Sequence, residues 1–155
     1  MDIISTVAVV ASVLFFAMQA RSLAGQSRVA NEVAGTQAHR DLLLRWKSWS
    51  DVFIRYPELH AHYYDQSTDT PSASDNVRLG VIADQQADWL NAGVMTSERL
   101  ASYAHWGDEW TVFVPLTLAS SSRLRAIIRD NPGVYPPVEP FVAAYDASHE
   151  QGTAA

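Results

Sequence analysis

The chain has 155 residues, with 17 acidic and 11 basic side chains and a formal charge of −6, about one domain's worth of polypeptide. Hydrophobic residues make up 48% and charged residues 18%, too apolar a balance for a disordered chain and without the basic excess of a nucleic-acid binder, so no nucleic-acid partner is expected. The chain holds no cysteine, which excludes disulfide scaffolds, thiolate zinc sites, iron–sulfur clusters and cysteine nucleophiles.

Residues 3–20 form an 18-residue run with no charged side chain, its polar members being Ser5, Thr6, Ser12 and Gln19. As a helix the run spans about 27 Å, close to the hydrocarbon thickness of a bilayer, and it reads as a transmembrane anchor. Asp2 alone precedes it, whereas Arg21 and Arg28 follow with no acid before Glu32. The positive-inside bias then predicts a single-pass protein of the cytoplasmic (inner) membrane, with its amino terminus outside and its carboxyl-terminal domain in the cytoplasm. A cleaved signal peptide is the rival reading, since Ser22-Leu23-Ala24 is an acceptable small-residue cleavage site. The lack of Lys or Arg ahead of the apolar run argues against it.

Residues 21–40 are polar, free of proline and interrupted by Gly25 and Gly35, and are read as a helical stalk continuing the anchor. Leu23, Ala30 and Val33 touch heptad spacing in fragments, which leaves a homodimer through the stalk open. Six basic and three acidic residues lie in 21–55, against five basic and thirteen acidic in 56–155. A basic stalk attracted to an anionic leaflet is one account of that asymmetry; ordinary surface charge is the plainer one.

The next stretch has a clear face, because Leu42, Trp46, Trp49, Phe53 and Tyr56 recur at i+3 and i+4 steps. Tyr56 precedes Pro57, so the long helix should end there and a short one should start at Pro57-Glu58-Leu59 and run towards Tyr64. Residues 65–75 read as the longest loop and 76–92 as an amphipathic helix stopped by Gly93. Thr96 or Ser97 is expected to cap a further helix carrying Leu100, Tyr103, Trp106, Trp110 and Phe113, with Glu98 in its first turn and Pro115 kinking or ending it. Ser120–Ser122 offer a new cap for a helix containing Leu124, Ile127 and Ile128, which Asn131-Pro132-Gly133 stops. A last helix over 138–148 presents Phe141, Val142 and Tyr145. No segment alternates with period two, so the fold class is all-α: an anchor at 1–20, a stalk at 21–40, a small antiparallel bundle at 41–150 and a frayed tail at 151–155. Trp46, Trp49, Phe53, Trp89, Trp106, Trp110 and Phe113 are the expected structural core, with a ligand pocket or partner groove as the rival use of the aromatic stripes.

Two constellations carry chemistry. On a helix Glu58 faces His62 and His62 faces Asp65, a carboxylate–imidazole–carboxylate set able to ligate a divalent metal; no second histidine motif supplies further ligands, and surface histidines are the plainer account. Ser121 and Ser122, with Arg125 and Arg129, would give an anion site at a helix N-terminus, against a simple cap with salt-bridged arginines. The carboxylates Asp84, Asp88, Asp108 and Glu109 invite a glycosidase or di-metal reading but suit a solvated face. Pro137-Val138-Glu139-Pro140 fits the bare PxxP spacing without a flanking basic residue and reads as a helix start. No catalytic residue and no cofactor is assigned.

Arg45-Trp46, Val52-Phe53-Ile54-Arg55-Tyr56-Pro57-Glu58-Leu59, Arg123-Leu124, Asn131-Pro132 and Tyr135-Pro136, following an N-terminal single-pass anchor, resemble a loose group of uncharacterised bacterial, actinobacterial-type membrane-anchored helical proteins. The resemblance implies an architecture and transfers no activity. The function expected is a membrane-tethered protein-interaction module, an accessory subunit of a larger membrane complex, held in the bilayer by residues 3–20 and facing an unidentified membrane or cytoplasmic protein. The alternative is a small metal- or anion-binding sensor or enzyme at the cytoplasmic membrane face.

Overall fold

One uninterrupted helix, α1 (Ile3–Arg55), takes up the first third of the chain. It ends where the sequence demands: the Tyr56 N–H still bonds back to Val52 at 2.8 Å, but Pro57 has no N–H to continue the ladder. The computed structural model describes residues 3–100, 102–104 and 107–153, with the backbone alone described at 3–8, 10 and 150–153. After α1 come α2 (Glu58–Tyr63), α3 (Ala73–Arg99), α4 (Gly107–Ala119), α5 (Ser122–Asp130) and α6 (Glu139–Thr153). Among the described residues there is no strand, and the fold is all-α.

Helix α3 is the central element, packed on α1, α2, α4 and α5, while α6 closes the far side against α4 and α5. Two apolar clusters result. Leu42, Ala87, Trp89, Leu90, Val94, Trp110, Val114 and Leu118 form the heart of one, and Trp49, Leu59, Tyr63, Leu79 and Ile82 the other. Ile127 packs against both. Polar links tie α1 to α3: the Trp89 indole N–H donates to the Leu42 carbonyl at 2.9 Å, and Arg45 pairs with Asp88. On the other side Arg129 grips Asp146 through two bonds of 2.7 Å between α5 and α6. These ion pairs are exposed, and each is worth about 0–1 kcal/mol; the apolar clusters hold the bundle.

Several sequence expectations change. Gly93 does not stop α3, which runs on to Arg99. It is a close-approach glycine: a β-carbon there would overlap the Trp110 ring, and burial of that indole outweighs the roughly 1 kcal/mol that glycine costs a helix. Thr96, Ser97 and Glu98 therefore lie in the last turns of α3 rather than capping a new helix. Leu100 is extended, with φ −103° and ψ 112°, and Tyr103 sits in the connection to α4. Pro115 is tolerated inside α4 because it falls on the exposed side, opposite buried Trp110, Val114 and Leu118. Helix α6 extends through most of the expected frayed tail; Ala154 and Ala155 lie outside the described residues.

Of the expected core residues, Trp49, Trp89 and Trp110 are buried and Phe53 is half-buried. Trp46 and Phe113 are 47% and 43% exposed, because the face that α1 turns to the bundle centres on Leu42 and Trp49 and leaves Trp46 at its edge. Trp106 lies outside the described residues. The expected anchor does so in part: Met1 and Asp2 wholly, and the side chains at 3–8 and 10. Among the described residues no helix is long and apolar enough to cross a membrane.

Candidate functional site

The α2–α3 connection shows how the two sequence-level constellations meet. After α2 the Gln66 N–H bonds to the Ala61 carbonyl at 2.8 Å, with Asp65 between them at φ +54°. This is the six-to-one closure of a helix C-terminus, whose left-handed position normally belongs to glycine or asparagine. L-residues in general are disfavoured there by roughly 1–2 kcal/mol, aspartate less than most, and the Asp65 carboxylate supplies a further compensation. The Ser122 N–H donates to Asp65 Oδ2 at 2.6 Å and the Ser122 hydroxyl to Oδ1 at 2.7 Å. Asp65 thus places a negative charge at the N-terminus of α5, where the helix macrodipole favours it. The Leu124 N–H is taken by Ser121, the N-cap of α5, at 3.3 Å.

The expected anion site is therefore filled by a side chain of the expected metal site. Ser121 is fully buried. Arg125 donates to the carbonyls of Leu118 and, at 3.3 Å, Ala119, and its guanidinium lies over the Tyr145 ring, 4.4 Å from the centroid. Arg129 is held by Asp146. Glu58 is exposed and His62 half-buried, and Asp65 is turned away to Ser122. Among the described residues no three His, Cys, Asp or Glu side chains converge as a metal site. The other carboxylates are dispersed: Asp84 accepts from the Tyr135 hydroxyl, Asp88 from Arg45, and Asp108 and Glu109 open α4.

A substitution series separates the roles of Asp65. Asp65→Ala loses the cap and keeps a β-carbon at positive φ, so it should destabilise the protein by about 2 kcal/mol. Asp65→Gly, which relieves the backbone, and Asp65→Asn, which keeps a hydrogen-bond acceptor, should each cost less. His62→Ala should move the melting temperature little. Thermal unfolding of the four variants checks the order; a neutral Asp65→Ala would remove the capping role.

A recess facing the long helix lies elsewhere and was not singled out from the sequence. His39, Leu42 and Leu43 of α1, Trp89 of α3, Tyr103 of the connection, and Glu109, Trp110 and Phe113 of α4 enclose a cleft of about 230 Å³. Its walls are aromatic and edge-to-face: Trp89 stands 5.2 Å from Trp110 and 5.6 Å from Phe113 between ring centroids. At one end His39 Nδ1 lies 3.3 Å from the Tyr103 hydroxyl. Burial, reinforced by the Glu109 carboxylate, raises the Tyr103 phenol above its ordinary range and keeps it protonated. The stripe spacing that marked Trp110 and Phe113 as core was the available signal; that they would border a cleft depends on where α1 crosses them. The lining offers apolar surface with a polar end and suits an inserted side chain or small apolar group, since cavities for larger ligands run to about 300–1,000 Å³. Comparison of the chain with protein-family models, curated proteins and solved structures gives no match.

Proposed function

We propose that the protein is a membrane-tethered helical module that binds or steadies a protein partner, as an accessory subunit of a larger membrane complex. The observation that carries the reading is the part of α1 ahead of the bundle. Val13, Leu14, Phe15, Phe16 and Met18 are 58–74% exposed, and at about 100° per residue they spread around the whole circumference of the helix. Further along α1 the Ser102 hydroxyl donates to the Asn31 carbonyl at 2.8 Å. Apolar side chains held in water forgo about 25 cal/mol per Å² of burial. A groove in a partner covers one side of a helix, whereas a bilayer covers all of it, and an all-round apolar helix is the kind that lipid accommodates. Arg21 and Arg28 beyond the run favour an orientation with the bundle in the cytoplasm. With Asp65 and Arg129 engaged internally, no specific contact favours the metal- or anion-binding alternative.

The test is fractionation and protease access. The full chain should stay in the membrane pellet after carbonate washing, and protease added to intact cells should spare a carboxyl-terminal tag. Release by carbonate, or rapid loss of the tag, would overturn the reading, as would a mature chain beginning near Gly25.

A further inference from the structure

We infer that the trough between α1 and α4 is the contact face of a parallel, side-by-side homodimer in which Trp46 of each copy enters the aromatic cleft of the other. Leu43 of α1 and Phe113 of α4 line the cleft and are exposed; by helical periodicity exposed Trp46 and Ile54 continue the Leu43 side of α1, and exposed Leu116 continues the Phe113 side of α4. Beyond Glu109, α4 carries no charged side chain, so its outer face is as apolar as its buried one, the composition of a helix covered on both sides.

Three features select a second copy as the occupant. The cleft is below the size of a typical small-molecule site but fits one aromatic side chain, and Trp46, about one turn along α1 from Leu42 and Leu43 of its wall, is a large exposed aromatic. The heights agree. A helical side chain covers the turn preceding its own Cα, which brings Trp46 to the level of Leu42 and Leu43, two residues of the cleft wall, so knob and hole meet when two copies stand side by side in the same direction. The charges agree as well. Glu109 lines the cleft next to His39 and so stands level with Arg40. Among the described residues neither Arg40, Lys47, Asp108 nor Glu109 forms an ion pair, and in the parallel pair Arg40 of one copy faces the acidic start of α4 on the other. The parallel direction rests on the anchoring proposed above; the meeting of the two troughs does not.

Single-cysteine crosslinking of the full chain in detergent micelles tests this, because the natural sequence holds no cysteine. With a short bismaleimide, Leu43→Cys and Ile54→Cys should each give a covalent dimer, and Val77→Cys on the outer face of α3 should not. Symmetric crosslinks at two positions eleven residues apart on one face require parallel helices. Adding Trp46→Ala to Leu43→Cys should weaken dimerisation at least about tenfold, as loss of a central interface tryptophan does, with an unchanged melting temperature showing that the fold persists. Equal crosslinking at Val77 and Leu43, a dimer indifferent to Trp46→Ala, or crosslinks at Leu43 without Ile54 would overturn the proposal. A dimer that meets these tests from a chain released by carbonate would instead sink the anchoring alone.

Discussion

Trp110→Ala should destabilise the bundle by about 3–5 kcal/mol, enough to consume much of the stability of a small domain. The indole is nearly buried and sits in edge contact with Trp89 and Phe113, at 5.2 and 5.9 Å between centroids. Its other side rests on Gly93, where a β-carbon would overlap ring atoms. Gly93→Ala should therefore cost about 1–3 kcal/mol in the parent by overpacking. In the Trp110→Ala background the same methyl enters the space the indole has left, and the cost should shrink or reverse. Chemical denaturation of the two single variants and the double variant gives the coupling directly. Additive effects would mean that Gly93 and Trp110 do not touch.

The second large effect belongs to the other apolar cluster. Tyr63 is fully buried, its ring 5.4 Å from Phe53 and 5.0 Å from Tyr64 between centroids, and its hydroxyl donates to Oε1 of buried Gln86. Burial drives its phenol far above the ordinary range, so it stays a neutral donor. Tyr63→Ala should cost about 3–5 kcal/mol, since it opens a cavity and strands the Gln86 amide oxygen. Tyr63→Phe keeps the ring and should cost about 1–3 kcal/mol, the penalty for an unsatisfied buried acceptor. Equal losses for the two variants, read by urea unfolding, would place the whole effect in the hydrogen bond and none in packing.

What the sequence made legible were features governed by neighbours along the chain. Pro57 ends α1 without help from tertiary structure, Ser121 caps α5 as its position before Leu124 suggests, and the absence of period-two patterns excludes sheet. What it hid were features set by partners far away. Gly93 looks like a helix terminator until Trp110 is seen against it. Asp65 looks like a metal ligand because it lies near His62, yet its carboxylate serves Ser122, 57 residues on. The aromatic spacing identified Trp46 and Phe113 as apolar-face residues, but spacing gives a helix's face and not which edge of that face is covered. The cleft needed four segments, and His39 and Tyr103, which meet at its polar end, are 64 residues apart.

The length of α1 has a mechanical consequence. At about 1.5 Å per residue, the stretch from Arg21 to Arg55 is a lever arm of about 50 Å. If its amino-terminal end is held in a bilayer as proposed, a change of about 10° in tilt, well inside the range of membrane helices, would sweep the far end through about 9 Å. The upper arm is braced: Gly35 packs under Ser102, and Trp89 and Arg45 fasten α1 to α3. The lower arm has no such brace at Gly25, around which a β-carbon would meet nothing within 4 Å, and glycine is the residue that stiffens a helix least. Within this continuous helix Gly25 is the softest point of the lower arm, and Gly25→Ala would stiffen it there without a clash.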